Sequence, residues 1–206
     1  NGQTALAEAI SGVVQPSNGQ LILDGVTLVA NNPSIMIKAG IGRIPEDRQR
    51  DGIIGQMTVA ENLVIESISS DAFQSYGFLN WAAIRARARE LIEQYDIRGP
   101  GTESSVKVLS GGNIQKLILA RVFESKPRLV LANQPTRGLD IGAASIVAER
   151  LLMTKKRGAA IVLISEDLDE VLSLSDRIMV MRDGKLIPAE TRSRDILGRL
   201  MAGEAI

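Results

Sequence analysis

Short apolar runs alternate with helix-spaced segments along this chain, predicting strands interleaved with helices. Residues 4–10 place small and apolar side chains at helical spacing, with Gly2 just ahead, and read as the first turns of a helix. Residues 19–28 alternate apolar and polar positions around Asp24-Gly25, the pattern of a strand pair joined by a turn. Asn31-Asn32-Pro33-Ser34 reads as the cap of a short helix over 35–39. Residues 41–44 form a short strand that ends at Pro45.

A helical block follows, with helices expected over 58–66, 81–95 and 110–125. The helix over 81–95 has the clearest pattern, with Ile84, Ala88, Leu91, Ile92 and Tyr95 on one face and arginines opposite. Beyond it the periodicity predicts a strand over 129–132, a helix over 143–155 and a strand over 160–165. A short helix over 168–174, a strand over 177–181, a hairpin at Asp183-Gly184 and a helix over 193–201 complete the chain. Continuous apolar strands between helices imply an α/β fold with a parallel sheet covered on both faces. The block is read as an insertion, dividing the chain into 1–55, 56–125 and 126–206.

Composition narrows the classes. The 206 residues are 45% hydrophobic and 23% charged, enough to bury a core. Basic and acidic residues balance at 24 each, no long basic run appears and aromatics are 3%, so nucleic acid is not the expected partner. Without cysteine there is no disulfide framework, and without histidine no His-based acid–base chemistry or His-ligated metal in this chain. The longest apolar runs, such as 159–164, are too short to span a bilayer. The opening Asn1-Gly2-Gln3-Thr4 lacks an initiator Met and reads as a cut inside a longer protein.

Several strand ends and helix starts carry candidate chemistry. Asn1-Gly2-Gln3-Thr4 fits the tail of a phosphate-binding loop ending Gly-Lys-Ser/Thr, with Gln3 in the Lys position. Read alone, it is an ordinary helix cap. Ser110-Gly111-Gly112 opens a helix, with Ser as a cap and two glycines exposing N–H groups at the positive dipole end. The strand over 129–132 delivers Asn133-Gln134 to its C-terminal end, where ligands sit in α/β sheets. Pro135-Thr136-Arg137-Gly138-Leu139-Asp140 follows, which alone is a strand-to-helix turn. Glu46 and Glu166 stand just past two other strands, as solvated acids do.

Taken in order, these motifs resemble the nucleotide-binding subunit of ABC transporters over nearly the whole chain. Ser110-Gly111-Gly112-Asn113-Ile114-Gln115-Lys116 with its Ala120-Arg121 ending resembles the signature sequence, Asn113 replacing the usual Gln. The resemblance implies a P-loop NTPase-like fold with an inserted helical subdomain, and ATP and Mg²⁺ as cofactors. Gly2, Gln3 and Thr4 would face phosphate, and Thr4 and Asn133 would be metal ligands. In the family the first residue after the strand is usually an Asp that helps hold Mg²⁺, and the second a Glu that polarises water. Asn133 offers an uncharged oxygen, so Mg²⁺ would bind weakly, and Gln134 accepts no proton from water. Asp140 matches the dimer-contact loop. Glu46 replaces a usual Gln and Glu166 the usual switch His. A carboxylate about 4 Å from a phosphate charge is repelled by roughly 4 kcal/mol at an effective dielectric near 20.

The departures at Gln3, Glu46, Asn133, Gln134 and Glu166 fall on one composite site. Ser110, Gly111, Gly112, Asn113 and Asp140 would serve the opposite site, in a dimer where the signature reaches the γ-phosphate held by the other cassette. The expected chain is therefore a degenerate half, with Gln134 and Glu166 at the altered catalytic positions. Gly40-Ile41-Gly42-Arg43-Ile44-Pro45-Glu46-Asp47-Arg48 looks like the second cassette of tandem simple-sugar importers. Ala132-Asn133-Gln134-Pro135-Thr136 looks like their nucleoside-importing relatives. The resemblance implies a partner cassette, transmembrane permease subunits, a solute-binding protein acting indirectly, and a peripheral position on the cytoplasmic face of the membrane. It also implies that the strand feeding the phosphate loop lies outside this segment, so an incomplete sheet, or pairing with another chain, is expected. A non-transport ABC protein acting on nucleic acid or ribosomes, and a nucleotide-free scaffold, are the alternative readings.

Overall fold

The computed structural model describes residues 2–29, 32–75 and 77–202. Helix α1 (Gln3–Ile10) starts at Gly2, whose φ of 117° is open to glycine, and buries Ala7 and Ile10. Strands β1 (Leu21–Leu23) and β2 (Val26–Leu28) pair antiparallel around Asp24 and Gly25, both at positive φ, the tight hairpin the alternation predicts. Helix α2 (Pro33–Lys38) is capped by Asn32, whose side chain accepts from the Ser34 amide at 2.8 Å. The other half of the expected Asn31-Asn32 cap, like Asn1, lies outside the described residues.

Strand β3 (Ile41–Ile44) leads through a charged loop into helix α3 (Val59–Val64). Two-residue strands β4 (Gln74–Ser75) and β5 (Phe78–Leu79) precede helices α4 (Trp81–Gln94) and α5 (Gly111–Glu124). Strand β6 (Leu129–Asn133), helix α6 (Ile141–Lys156), strand β7 (Ala160–Ile164) and helix α7 (Leu168–Leu174) follow. A hairpin of β8 (Ile178–Arg182) and β9 (Lys185–Ala189) precedes helix α8 (Arg194–Ala202).

The central sheet is parallel, in the order β3-β6-β7, with Ile44 opposite Ala132 and Asn133 opposite Ile164. Alternate residues of β6 serve opposite faces. Leu131 packs with Ala7, Ile10, Met36 and Ile41 under α1 and α2, while Val130 and Ala132 join the cluster under α5 and α6. Both faces of β6 are therefore apolar and covered, as a continuous apolar run requires. Gly42 allows β3 to approach α5, since a Cβ there would stand 2.8 Å from Val122 Cγ1.

The larger cluster runs without interruption into the helical block, where Leu63, Ile84, Ala88, Leu91 and Leu117 belong to the same core as Ile44 and Val130. Ile84, Ala88 and Leu91 form the predicted apolar face of α4. At its end Glu124 accepts from Arg87, Gln94 and Tyr95, and Arg150 of α6 stands 4.8 Å over the Tyr95 ring. Burial pushes the Glu124 carboxyl up, but these donors outweigh it and hold the group below its ordinary value. Burial and the Glu124 charge push the Tyr95 phenol well up.

Helix α3 opens on a capping box. Thr58 Oγ1 accepts from the Glu61 amide at 3.2 Å, and Glu61 Oε2 accepts from the Thr58 amide at 2.7 Å. Thr58→Ala in the intact protein is expected to cost about 1 kcal/mol, read as a lowered thermal midpoint. An unchanged midpoint would show that the cap contributes nothing.

Strand β8 does not join the parallel sheet. The apolar run over 177–181 carries no label of its neighbour, and among the described residues it pairs with β9 alone. Val162 and Ile164 of β7 and Ile178 and Val180 of β8 line a cleft of ≈ 280 Å³ between the two. Among the described residues the parallel sheet ends at β7.

Candidate functional site

Parallel strands send their C-terminal ends to one edge, and there the chain gathers Glu46 after β3, Asn133 and Gln134 at the end of β6, and Glu166 after β7. The N-terminus of α1 reaches the same edge. Thr4, Glu46, Arg48, Asn133 and Arg137 line a charged cleft of ≈ 600 Å³. Asp47 shapes the loop on its rim, accepting from the Gln49 and Arg50 amides at 3.0 Å each.

Gln134 takes a left-handed conformation, φ 49°, and its amide donates to the Ile164 carbonyl at 2.8 Å. Its Oε1 accepts from the Glu166 backbone amide at 3.4 Å, so the structure brings together the two residues expected at altered catalytic positions. The Glu166 carboxylate itself is exposed. Asn133 is 7% exposed at the strand end. Glu46 is held by the Arg137 guanidinium in an ion pair across the cleft.

The first-helix residues separate. Thr4 faces the charged cleft, whereas Gln3 lines the β7–β8 cleft. Gly2 sits against Met181, whose sulfur would be 3.0 Å from an added Cβ. One step along a helix turns a side chain by about 100°, which sets neighbours Gln3 and Thr4 on different walls.

Ser110 occupies the N-cap position of α5, but its hydroxyl caps no helix amide. It accepts instead from Asn113 Nδ2 at 2.9 Å, and Asn113 Oδ1 accepts from the Arg98 amide at 2.8 Å. The expected Ser cap is corrected accordingly: Asn113 takes the hydroxyl that would otherwise reach back to the helix amides. An added Cβ on Gly111 or Gly112 would meet nothing within 4 Å, so these residues form an open surface, with Gly111 on the rim of the charged cleft. Asp140 caps α6, accepting from the Ala143 amide at 2.9 Å.

Mg²⁺ fits this donor set poorly. Thr4 and Asn133 offer uncharged oxygens, the Glu46 carboxylate is already paired with Arg137, and no cluster of three metal-ligating acids, His or Cys occurs among the described residues.

Two cations, Arg48 and Arg137, were not singled out by sequence reasoning. Burial holds the Arg48 guanidinium below its ordinary value, and its Nη2 would stand 3.9 Å from a Cβ on Gly138. The alternation of Arg43, Glu46, Asp47, Arg48, Arg50 and Asp51 was the available signal. Gln115, which sequence reasoning placed in the signature run without a role of its own, is buried and donates to the Pro135 carbonyl at 2.8 Å, tying α5 to the loop after β6.

The family model described as ABC transporter matches residues 1–137. The chain is 41% identical over 206 residues to the nucleoside import ATP-binding protein NupA of Lactococcus lactis subsp. cremoris, covering 98% of this chain and 41% of that protein. It is likewise 41% identical over 208 residues to the glucose import ATP-binding protein TsgD13 of Haloferax volcanii, covering 98% of this chain and 38% of that protein. The chain thus spans about two fifths of the length of the curated relatives it matches. Among solved structures, the dimeric ATP-binding cassette MJ0796 in a post-hydrolysis state with ADP and Pi superposes with a TM-score of 0.72 at 22% identity, over 90% of this chain and 78% of that one. No helix among the described residues is long and apolar enough to cross a membrane.

Proposed function

Because this chain belongs to the ABC transporter family, we propose that it is the degenerate ATP-binding half of an importer for simple sugars or nucleosides. One contrast carries the reading. The strand end that would host hydrolysis bears two amides, one of them bonded to the backbone of residue 166, while the N-terminus of α5 stands open. The names of the relatives, nucleoside import for one and glucose import for another, support the importer class and leave both solute classes within it.

In this mechanism ATP held by a partner cassette is sandwiched against Ser110, Gly111 and Gly112. The exposed N–H groups and positive dipole end of α5 favour its terminal phosphate. The partner's residues hold Mg²⁺ and activate the water. At this chain's own pocket Gln134 accepts no proton, and the exposed Glu166 carboxylate, which is not among the residues lining the charged cleft, disfavours a phosphate placed beside Gln134 rather than one held by the cleft arginines. Asp140 lies in the loop that meets the partner. Closure passes through α3, α4 and α5 to permease subunits at the cytoplasmic face of the membrane, with a solute-binding protein delivering cargo from the other side.

The test is ATP turnover by the full-length protein after the partner site's hydrolytic carboxylate is removed. Gln134→Glu is expected to leave the residual rate within about twofold, because residues acting as a set are not restored one at a time. Substantial recovered turnover would refute the account of this pocket.

A further inference from the structure

The cleft supplies its own positive charge where its ligand set fits a metal poorly. Arg137 stands in the loop after β6, between Gln134 at φ 49° and Gly138 at φ 68°, and reaches across to Glu46. Both side chains are substantially exposed, 63% and 42%, so the pair is weak and exchangeable. Arg48 lies against the same loop at Gly138. Four acids line the cleft: Asp47 is committed to two backbone amides, Asp51 lies 3.2 Å from the Arg50 guanidinium, Glu8 stands on α1, and Glu46 is the one paired with Arg137.

We propose that Arg137 takes the role of a divalent cation in this pocket, leaving Glu46 to bind the terminal phosphate of a nucleoside polyphosphate without metal. A guanidinium presents paired donors that match two phosphate oxygens. The loop carrying Arg137 also carries Asp140, so occupancy of the cleft sets the position of the segment that meets the partner. The inference rests on the cassette reading above and goes beyond it, since that reading does not require ATP in this pocket.

Bound ATP is to be counted by equilibrium dialysis on the full-length protein with its companion cassette, in Mg²⁺ and in EDTA. Two ATP are expected in Mg²⁺ and one in EDTA. Arg137→Ala should weaken the EDTA-resistant ATP by roughly tenfold or more, and Arg137→Lys should recover part of that loss. Glu46→Gln should tighten it, because the competing carboxylate charge is gone. The opposite signs separate a ligand role from a structural ion pair, whose loss would act in the same direction from either side. If the second ATP requires Mg²⁺, if both substitutions weaken it, or if only one ATP ever binds, the inference is overturned while the importer reading stands. Failure to bind any ATP would overturn both.

Discussion

Ser110→Arg is expected to reduce ATP turnover and solute uptake by the assembled importer by roughly a hundredfold or more, the scale of losing a positioned donor at developing charge. Ser110 is exposed at the first step of α5, with Gly111 and Gly112 open beside it. In the proposed cassette dimer a small residue there would let the backbone close on the partner's phosphate, and a long guanidinium would prop the surfaces apart. The hydroxyl bonds only Asn113, so the fold loses little and the thermal midpoint should barely move. Uptake by vesicles carrying the complete complex is the decisive readout. Transport at half the original rate or better, from folded protein, would remove the lid role assigned to these residues.

Glu66→Ala acts on the fold. The Arg121 side chain is 8% exposed and lies in the core between α5 and the loop after β3. It donates to the Gly52 carbonyl at 2.8 Å and the Asn62 carbonyl at 3.3 Å. Glu66 Oε1 stands 2.9 Å from Arg121 Nε, close enough to pair but out of line for a hydrogen bond. Burial holds the guanidinium below its ordinary value, and the Glu66 charge opposes that. Removing Glu66 strands a buried cation, expected to cost about 3 kcal/mol, the low end of the range because Glu66 is 20% exposed. The double change Glu66→Leu with Arg121→Met should cost clearly less, since no charge is left behind. Thermal unfolding of the two variants side by side decides the matter: equal losses would mean that the pair, not the stranded charge, was what mattered.

Much of this fold was legible because its signals are local. The strand over 41–44 and the helix over 168–174 are found with the predicted bounds, each a short apolar segment between clear punctuation. Helix α6 begins two residues earlier than its periodicity suggests, at Ile141, because Asp140 caps it and Gly142 is carried within the first turn. The neighbour of β8 was not legible, since a strand's own pattern does not name its partner. At the site, the separation of Gln3 from Thr4 follows from helix rotation, which a linear motif conceals. The pairing of Arg137 with Glu46 joins residues 91 apart, and between Pro135 and Gly138 the arginine read as part of a turn.

Helix α5 has one end in the chemistry and the other in the architecture. It spans 14 residues, about 20 Å at the α-helical rise. Gly111 and Gly112 lie open at its start, while Ile118, Val122 and Phe123 are locked into the core further along. A rod gripped along most of its length does not bend where it is pushed. Arg121 bonds the Gly52 and Asn62 carbonyls and Glu124 bonds Arg87, Gln94 and Tyr95, so in the proposed cassette dimer a displacement of the glycine tip would be carried to the β3 loop and to α4. In the proposed importer the coupling would run both ways: strain imposed on the far helices by a permease would arrive back at the tip as a change in its grip on the partner's phosphate.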